Sequence, residues 1–118
     1  MASIEMFRND PEAQPLAAGQ VLFREGQPGE TMFVVTEGEI ELTVHGRSIE
    51  IAGPGGIFGE MVLVDRKARS ATATAKTAAK VVPISQRRFL FLVQNTPFFA
   101  IEVMSIMAER LRRMNEGV

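Results

Sequence analysis

EIELTVHGRSIEIA, Glu39 to Ala52, is the stretch that sets the class of fold. Ile40, Leu42 and Val44 alternate with polar residues, and RSIEIA (47–52) does the same with Ile49 and Ile51. A period of two is that of a half-buried strand. The runs are separated by His45-Gly46, a compact pair that suits a hairpin turn. Toward the N-terminus, TMFVVTEG (31–38) is an apolar run closed by a turn. VLFREGQPGE (21–30) is a short strand followed by a Gly/Pro turn, and PLAAGQ (15–20) is another strand end. Toward the C-terminus, RSATATA (69–75) places Ala71, Ala73 and Ala75 on one face, and KVVPIS (80–85) completes the β part. Short strands at close spacing with frequent glycines predict an antiparallel sandwich or barrel.

The last third changes period. QRRFLFLVQN (86–95) carries apolar residues at helical spacing, and Thr96-Pro97 restarts the chain as N-cap and first helical residue. The second helix is expected from Pro97 to about Asn115, with Gly117 just past its end. A barrel over about 13–85 with helices over about 86–95 and 97–115 packs as one domain spanning 1–118, helices on one side.

Composition narrows the function. The 118 residues are 46% hydrophobic and 23% charged, enough for a core. A net charge of −1 supplies no basic field for nucleic acid. The absence of cysteine excludes disulfides, thiol catalysis and thiolate-held clusters. One histidine, His45, cannot build a multi-histidine metal site or a Ser–His–Asp triad, so neither a metal nor an enzyme is expected. His45 is expected as an exposed turn residue, and Glu30, Glu37, Glu39 and Glu41 as solvated. No signal peptide and no run of ~18 apolar residues is present, so a soluble cytoplasmic protein without a membrane span is expected.

The chemistry concentrates in GEMVLVDRKARSA, Gly59 to Ala71, which follows the glycine-dense AGPGGIFGE (52–60). Such glycine density implies unusual backbone angles or a close approach by something. Met61-Val62-Leu63-Val64 fits one short helical turn, whose first N–H groups lack helical partners and favour an anion. Arg69 offers a cation for a phosphate, and Glu60 an acceptor for a sugar hydroxyl. Together they describe a site for a nucleoside phosphate. The alternative is structural: Arg69 pairs with Glu60 or Asp65 across a turn.

FGEMVLVDRKARSATA (58–73) closely resembles the phosphate-binding cassette of cyclic nucleotide-binding domains, the module shared by the bacterial catabolite activator family, the regulatory subunits of cAMP-dependent kinase and cyclic nucleotide-gated channels. FREGQPGETMFVVTEGEIEL (23–42), with Gly26, Gly29 and Gly38 at turns, resembles the family's strand–turn–strand segment. The two C-terminal helices resemble its last two helices, so the likeness covers about 13–115. It implies an eight-stranded antiparallel jelly-roll β-barrel holding a cyclic nucleotide; Ser70 tolerates either purine, and general bacterial usage favours cAMP over cGMP. By carry-over, Glu60 would accept the ribose 2′-OH and Arg69 would pair with the cyclic phosphate. Backbone N–H groups near Met61, Val62 and Ala71 would complete the cradle, Ser70 would contact phosphate or purine, and Gly59 would admit the sugar–phosphate closely. Val62 departs from the pattern, which has a small residue there, and a degenerate site kept as an interaction scaffold is the alternative it raises.

Helix 97–115 is apolar nearly all round in its first half. Ala100, Met104, Met107, Leu111 and Met114 are spaced as a coiled-coil seam. A homodimer through this helix is expected, and the family resemblance points the same way. Arg110, Arg112 and Arg113 are read as a solvated helix end complementing the dipole, with a lid over the purine as the alternative. The chain shows no winged helix-turn-helix of DNA-binding relatives, so direct DNA binding is not expected. A downstream protein partner, which the sequence does not identify, would read the helices.

Overall fold

The computed structural model describes residues 2–116, with side chains from 5 to 115. In order, its elements are α1 (Ala2–Phe7), β1 (Gln14–Leu16), β2 (Val21–Phe23), β3 (Thr31–Glu37), β4 (Ile40–Val44), β5 (Arg47–Ala52), β6 (Ile57–Phe58), α2 (Met61–Asp65), β7 (Thr72–Ala75), β8 (Ala79–Ser85), α3 (Gln86–Asn95) and α4 (Phe98–Glu116). Two four-stranded antiparallel sheets, ordered β1-β8-β3-β6 and β2-β7-β4-β5, face each other as a jelly roll. The expected position of Gly117 lies outside the described residues.

The apolar run of β3 has a direct cause. Phe33 and Val35 point between the sheets and pack with Ile40, Leu42, Phe58, Ala73 and Val81. Met32 and Val34 point the other way and pack with Val82 and Ile84 against Phe7, Leu92, Phe99 and Val103 of the helices. A strand covered on both faces cannot alternate apolar with polar residues. β4 and β7 alternate because their outer faces are wetter.

The hairpin forms at the expected residues. Val44 pairs with Arg47 across His45 and Gly46, whose φ values of 51° and 78° suit a two-residue primed turn. His45 is exposed, as expected of a turn residue. The alternation of β5 nevertheless misleads. Ile40 pairs with Ala52 and Leu42 with Glu50, so Ala52 and Glu50 share the inner face with Ile40 and Leu42. Ile51 is thereby turned outward, and Ile49 lies at a register shift; both are exposed. Two elements have no counterpart in the sequence reading. α1 is a six-residue helix with Phe7 buried completely at its end. β6 is two residues inside the glycine-dense stretch, pairing with Phe33 and Val34.

α3 begins where expected, with the Ser85 hydroxyl accepting from the N–H of Arg88. Thr96 links the last two helices through its backbone: its N–H donates to the Leu92 carbonyl, and its own carbonyl accepts from Phe99. The expected side-chain cap at Thr96 does not form among the described residues. Among them, no single helix is long and apolar enough to cross a membrane.

Arg88 ties the N-terminal segment to α3. It bonds Asp10 and reaches Glu12 at 2.9 Å, and its guanidinium lies 5.4 Å from the centre of the Phe7 ring. Desolvation pushes the Asp10 carboxyl up, but the Arg88 bond, the N–H of Glu12 and the Arg88 charge outweigh it and hold the carboxyl below its ordinary value. A carboxyl lowered below its unfolded value of about 3.9 contributes stability above that pH and loses it as the pH falls through the folded value. Asp10→Asn is therefore expected to cost about 1–2 kcal/mol at neutral pH. The difference from the parent should vanish below the folded value in thermal melts run from pH 7 downward. A difference that does not change with pH would remove the charge as its cause.

Candidate functional site

Arg69 precedes β7, and its backbone is pinned to the turn after β2. Its N–H donates to the Gln27 carbonyl and its carbonyl accepts from Gly26, both at 2.8 Å. The side chain then runs inward, leaving the residue 6% exposed. The guanidinium lies 4.1 Å from the centre of the Phe23 ring, on a cluster completed by Phe33 and Phe58. Nη1 donates to the Gly59 carbonyl at 3.2 Å, and Nη2 to the Thr31 hydroxyl at 3.3 Å. Two glycines make room for it. A Cβ on Gly29 would sit 2.3 Å from Nε, and one on Gly59 would sit 2.8 Å from Nη1. The room at Gly59 is thus taken by Arg69 itself.

Arg69 pairs with neither Glu60 nor Asp65. Asp65 accepts from the Lys67 N–H, and Glu60 is engaged elsewhere. The Nε atom of Arg69 is buried without a partner. Burial lowers its pKa from the ordinary arginine value, and no carboxylate among the described residues offsets that desolvation. A buried guanidinium bound only to a carbonyl and a hydroxyl, on aromatic rings worth about 0.5–2 kcal/mol, retains capacity for an anion.

Glu60 stands at the start of α2 but does not cap it, which frees its side chain to turn to α4. There its Oε1 meets Nη1 of Arg110. Arg110 also bonds the Ile57 carbonyl and grips Glu50 with Nε and Nη2, at 2.7 and 2.8 Å. Burial alone would lower the Arg110 pKa; the Glu50 bonds and the charges of Glu60 and Glu50 outweigh it and raise the pKa above the usual arginine value. Reading Arg110 as part of a solvated helix end is therefore incorrect, whereas Arg112 and Arg113 are exposed. The signal was in the spacing: Phe99, Val103, Ile106 and Arg110 recur at four, three and four residues, one helix face. Three of these pack against the sheet, and the arginine continues their stripe. Glu50 was missed because its strand's alternation was assigned to the isoleucines.

A cavity of about 630 Å³ lies between the barrel mouth and α4. Gly59, Glu60, Met61, Val62, Arg69, Ser70 and Ala71, the residues singled out in sequence, all line it. Phe23, Leu42, Arg110 and Leu111 contribute to the opposite walls. The Ser70 hydroxyl faces the Met61 sulfur at 3.7 Å. Met107, Leu111 and Met114 of the expected coiled-coil seam also line the cavity, while Met104 points to solvent. On the other side of α2 lies a second cavity of about 600 Å³, bordered by Gly29, Leu63, Arg66, Lys67, Gln86 and Arg87. Val62 is 5% exposed and lines both. Among the described residues no cluster of His, Asp and Glu could hold a metal ion.

Residues 13–96 match the family model of the cyclic nucleotide-binding domain. The chain belongs to that family. It is 36% identical over 88 residues to a cyclic nucleotide-gated potassium channel of Mesorhizobium japonicum, a match covering 75% of this chain and 24% of the channel. It is 32% identical over 99 residues to the cyclic AMP receptor protein of Thermus thermophilus, covering 80% of this chain and 46% of the relative. Among solved structures, the catabolite activator protein of Thermus thermophilus superposes with a TM-score of 0.79 at 27% identity, over 89% of this chain and 52% of that one. The chain thus spans less than half the length of these curated relatives.

The Arg69 cradle makes a local prediction. Gly29 has no unusual backbone angle, so alanine is allowed there except for its contact with Arg69. Gly29→Ala is expected to push the guanidinium off Phe23. The ring-current shift of the Arg69 Hε proton should then be lost in nuclear magnetic resonance spectra, with a stability cost of about 1–3 kcal/mol. An unchanged Hε resonance would mean that Gly29 does not shape the cradle.

Proposed function

We propose that this chain binds a cyclic nucleotide in the cavity beneath α4 and serves as a regulatory sensor module. One observation carries the reading: Arg69 is buried and has no carboxylate partner among the described residues, yet lines a cavity large enough for a nucleotide. In this reading Arg69 pairs with the cyclic phosphate, and Glu60 accepts the ribose 2′-OH. Backbone N–H groups near Met61, Val62 and Ala71 complete the phosphate cradle, Ser70 contacts phosphate or purine, and Gly59 makes the room in which Arg69 meets the phosphate. cAMP is favoured over cGMP, an assignment supported by relatives described as cAMP receptors.

The output is movement of α3 and α4. Ligand shifts the population of helix arrangements only by the difference in its affinity for them. Arg110 gives α4 a direct contact with Glu60, so what Glu60 binds bears on where α4 sits. Ile101 and Met104 are exposed apolar residues of α4 outside the cavity and support pairing with a second copy. A protein partner that reads the helices is the remaining element. The module is a binder and not an enzyme.

Calorimetric titration with cAMP and with cGMP tests the reading, beside Arg69→Lys, which keeps a charge but loses the fork. Micromolar or tighter binding, weakened at least about tenfold by Arg69→Lys, is expected. Absence of heat and of any thermal shift with both nucleotides would favour the scaffold reading, which rests on Val62 as a buried β-branched residue beside the cavity. Val62→Ala is expected to tighten binding by widening the cavity. Unchanged or weaker affinity would remove steric narrowing as its role.

A further inference from the structure

Glu50 is a carboxylate on the inner face of an edge strand, its side chain only 14% exposed. Pairing with Leu42 turns it inward, and there it meets two arginines of α4. Its Oε1 and Oε2 take the Nε and Nη2 of Arg110 fork to fork, and Oε1 also accepts from Arg113 at 3.3 Å. Arg110 thus presents Glu60 with Nη1 alone, and only Oε1 of Glu60 is used. Oε2 of Glu60 accepts no hydrogen bond among the described residues. A guanidinium facing a single carboxylate closes on both oxygens when its fork is free. Here Glu50 takes one edge of the fork, and the Ile57 carbonyl takes the remaining Nη2 hydrogen.

We propose that Glu50 is a positioning residue that anchors Arg110, and with it the last turns of α4, over the cavity, and so keeps one oxygen of Glu60 free for a ligand hydroxyl. The anchoring is a property of the fold by itself. The second part rests on the cyclic nucleotide reading. Without Glu50, Arg110 either leaves the wall and releases α4, or closes on both oxygens of Glu60 and competes with the ribose. Each course weakens binding, and the first also loosens the helix. Because glutamine matches glutamate in size, Glu50→Gln keeps the packing of the inner face.

The experiment compares the parent, Glu50→Gln, Arg110→Leu, the double variant and Glu50→Asp. Amide hydrogen exchange over residues 106–115 is followed without ligand, and cAMP is titrated calorimetrically into each protein. Glu50→Gln is expected to speed exchange over 106–115 and to weaken cAMP binding, each by about tenfold. The double variant should be no worse than Arg110→Leu alone, and Glu50→Asp should recover part of both effects. Parental exchange in Glu50→Gln, or additive effects in the double variant, overturns the anchor. Faster exchange with unchanged cAMP affinity overturns the part concerning Glu60. A parent that binds no nucleotide fails the functional reading and this second part with it, while the exchange data still decide the anchor.

Discussion

The architecture depends on one sheet, β1-β8-β3-β6, being covered on both faces. Phe33, Val35 and Val81 seal the interior of the barrel, while Met32, Val34, Val82 and Ile84 receive the helices. Full burial of one such side chain contributes about 1.5–3 kcal/mol, so the outer cluster outweighs the surface ion pairs that accompany it. Phe7 and Phe99 meet edge to face at 6.0 Å and bind the chain's two ends to the same patch. Helix position is therefore set by apolar packing at the base of α4. The far end of α4, over the cavity, is held by charge.

That division gives the two buried arginines different characters. Arg69 belongs to the barrel: glycines, an aromatic ring, a carbonyl and a hydroxyl fix it, and no carboxylate among the described residues neutralises it. Arg110 belongs to a helix and is neutralised by two carboxylates from the barrel. The first is a fixed charge on the barrel wall. The second is a contact between the barrel and α4. The cavity has one arginine of each kind on its walls.

The β body was legible because alternation, glycines and turn dipeptides acted locally at His45-Gly46, in β4 and in β7. The helices were legible from their period and from the break at Thr96-Pro97. Glu60 and Arg69 were legible as an acid and a base flanking one short helix, and the other candidate lining residues came from the family resemblance. What escaped is what only pairing reveals. The inward turn of Glu50 follows from its register opposite Leu42, which the isoleucine alternation contradicts. Arg110 hides in a cationic helix end, though its spacing from Val103 and Ile106 marks it as core-facing. β6 is too short for any period, and α1 is anchored through Phe7.

α2 is five residues long and separates two cavities of similar size, with Val62 on both walls. Substitution at Val62 therefore acts on both spaces: a smaller residue enlarges the cavity beneath α4 and thins its boundary with the cavity beside α3 in one step. The two volumes are coupled through one side chain, and independent tuning of either must come from residues farther from their common wall.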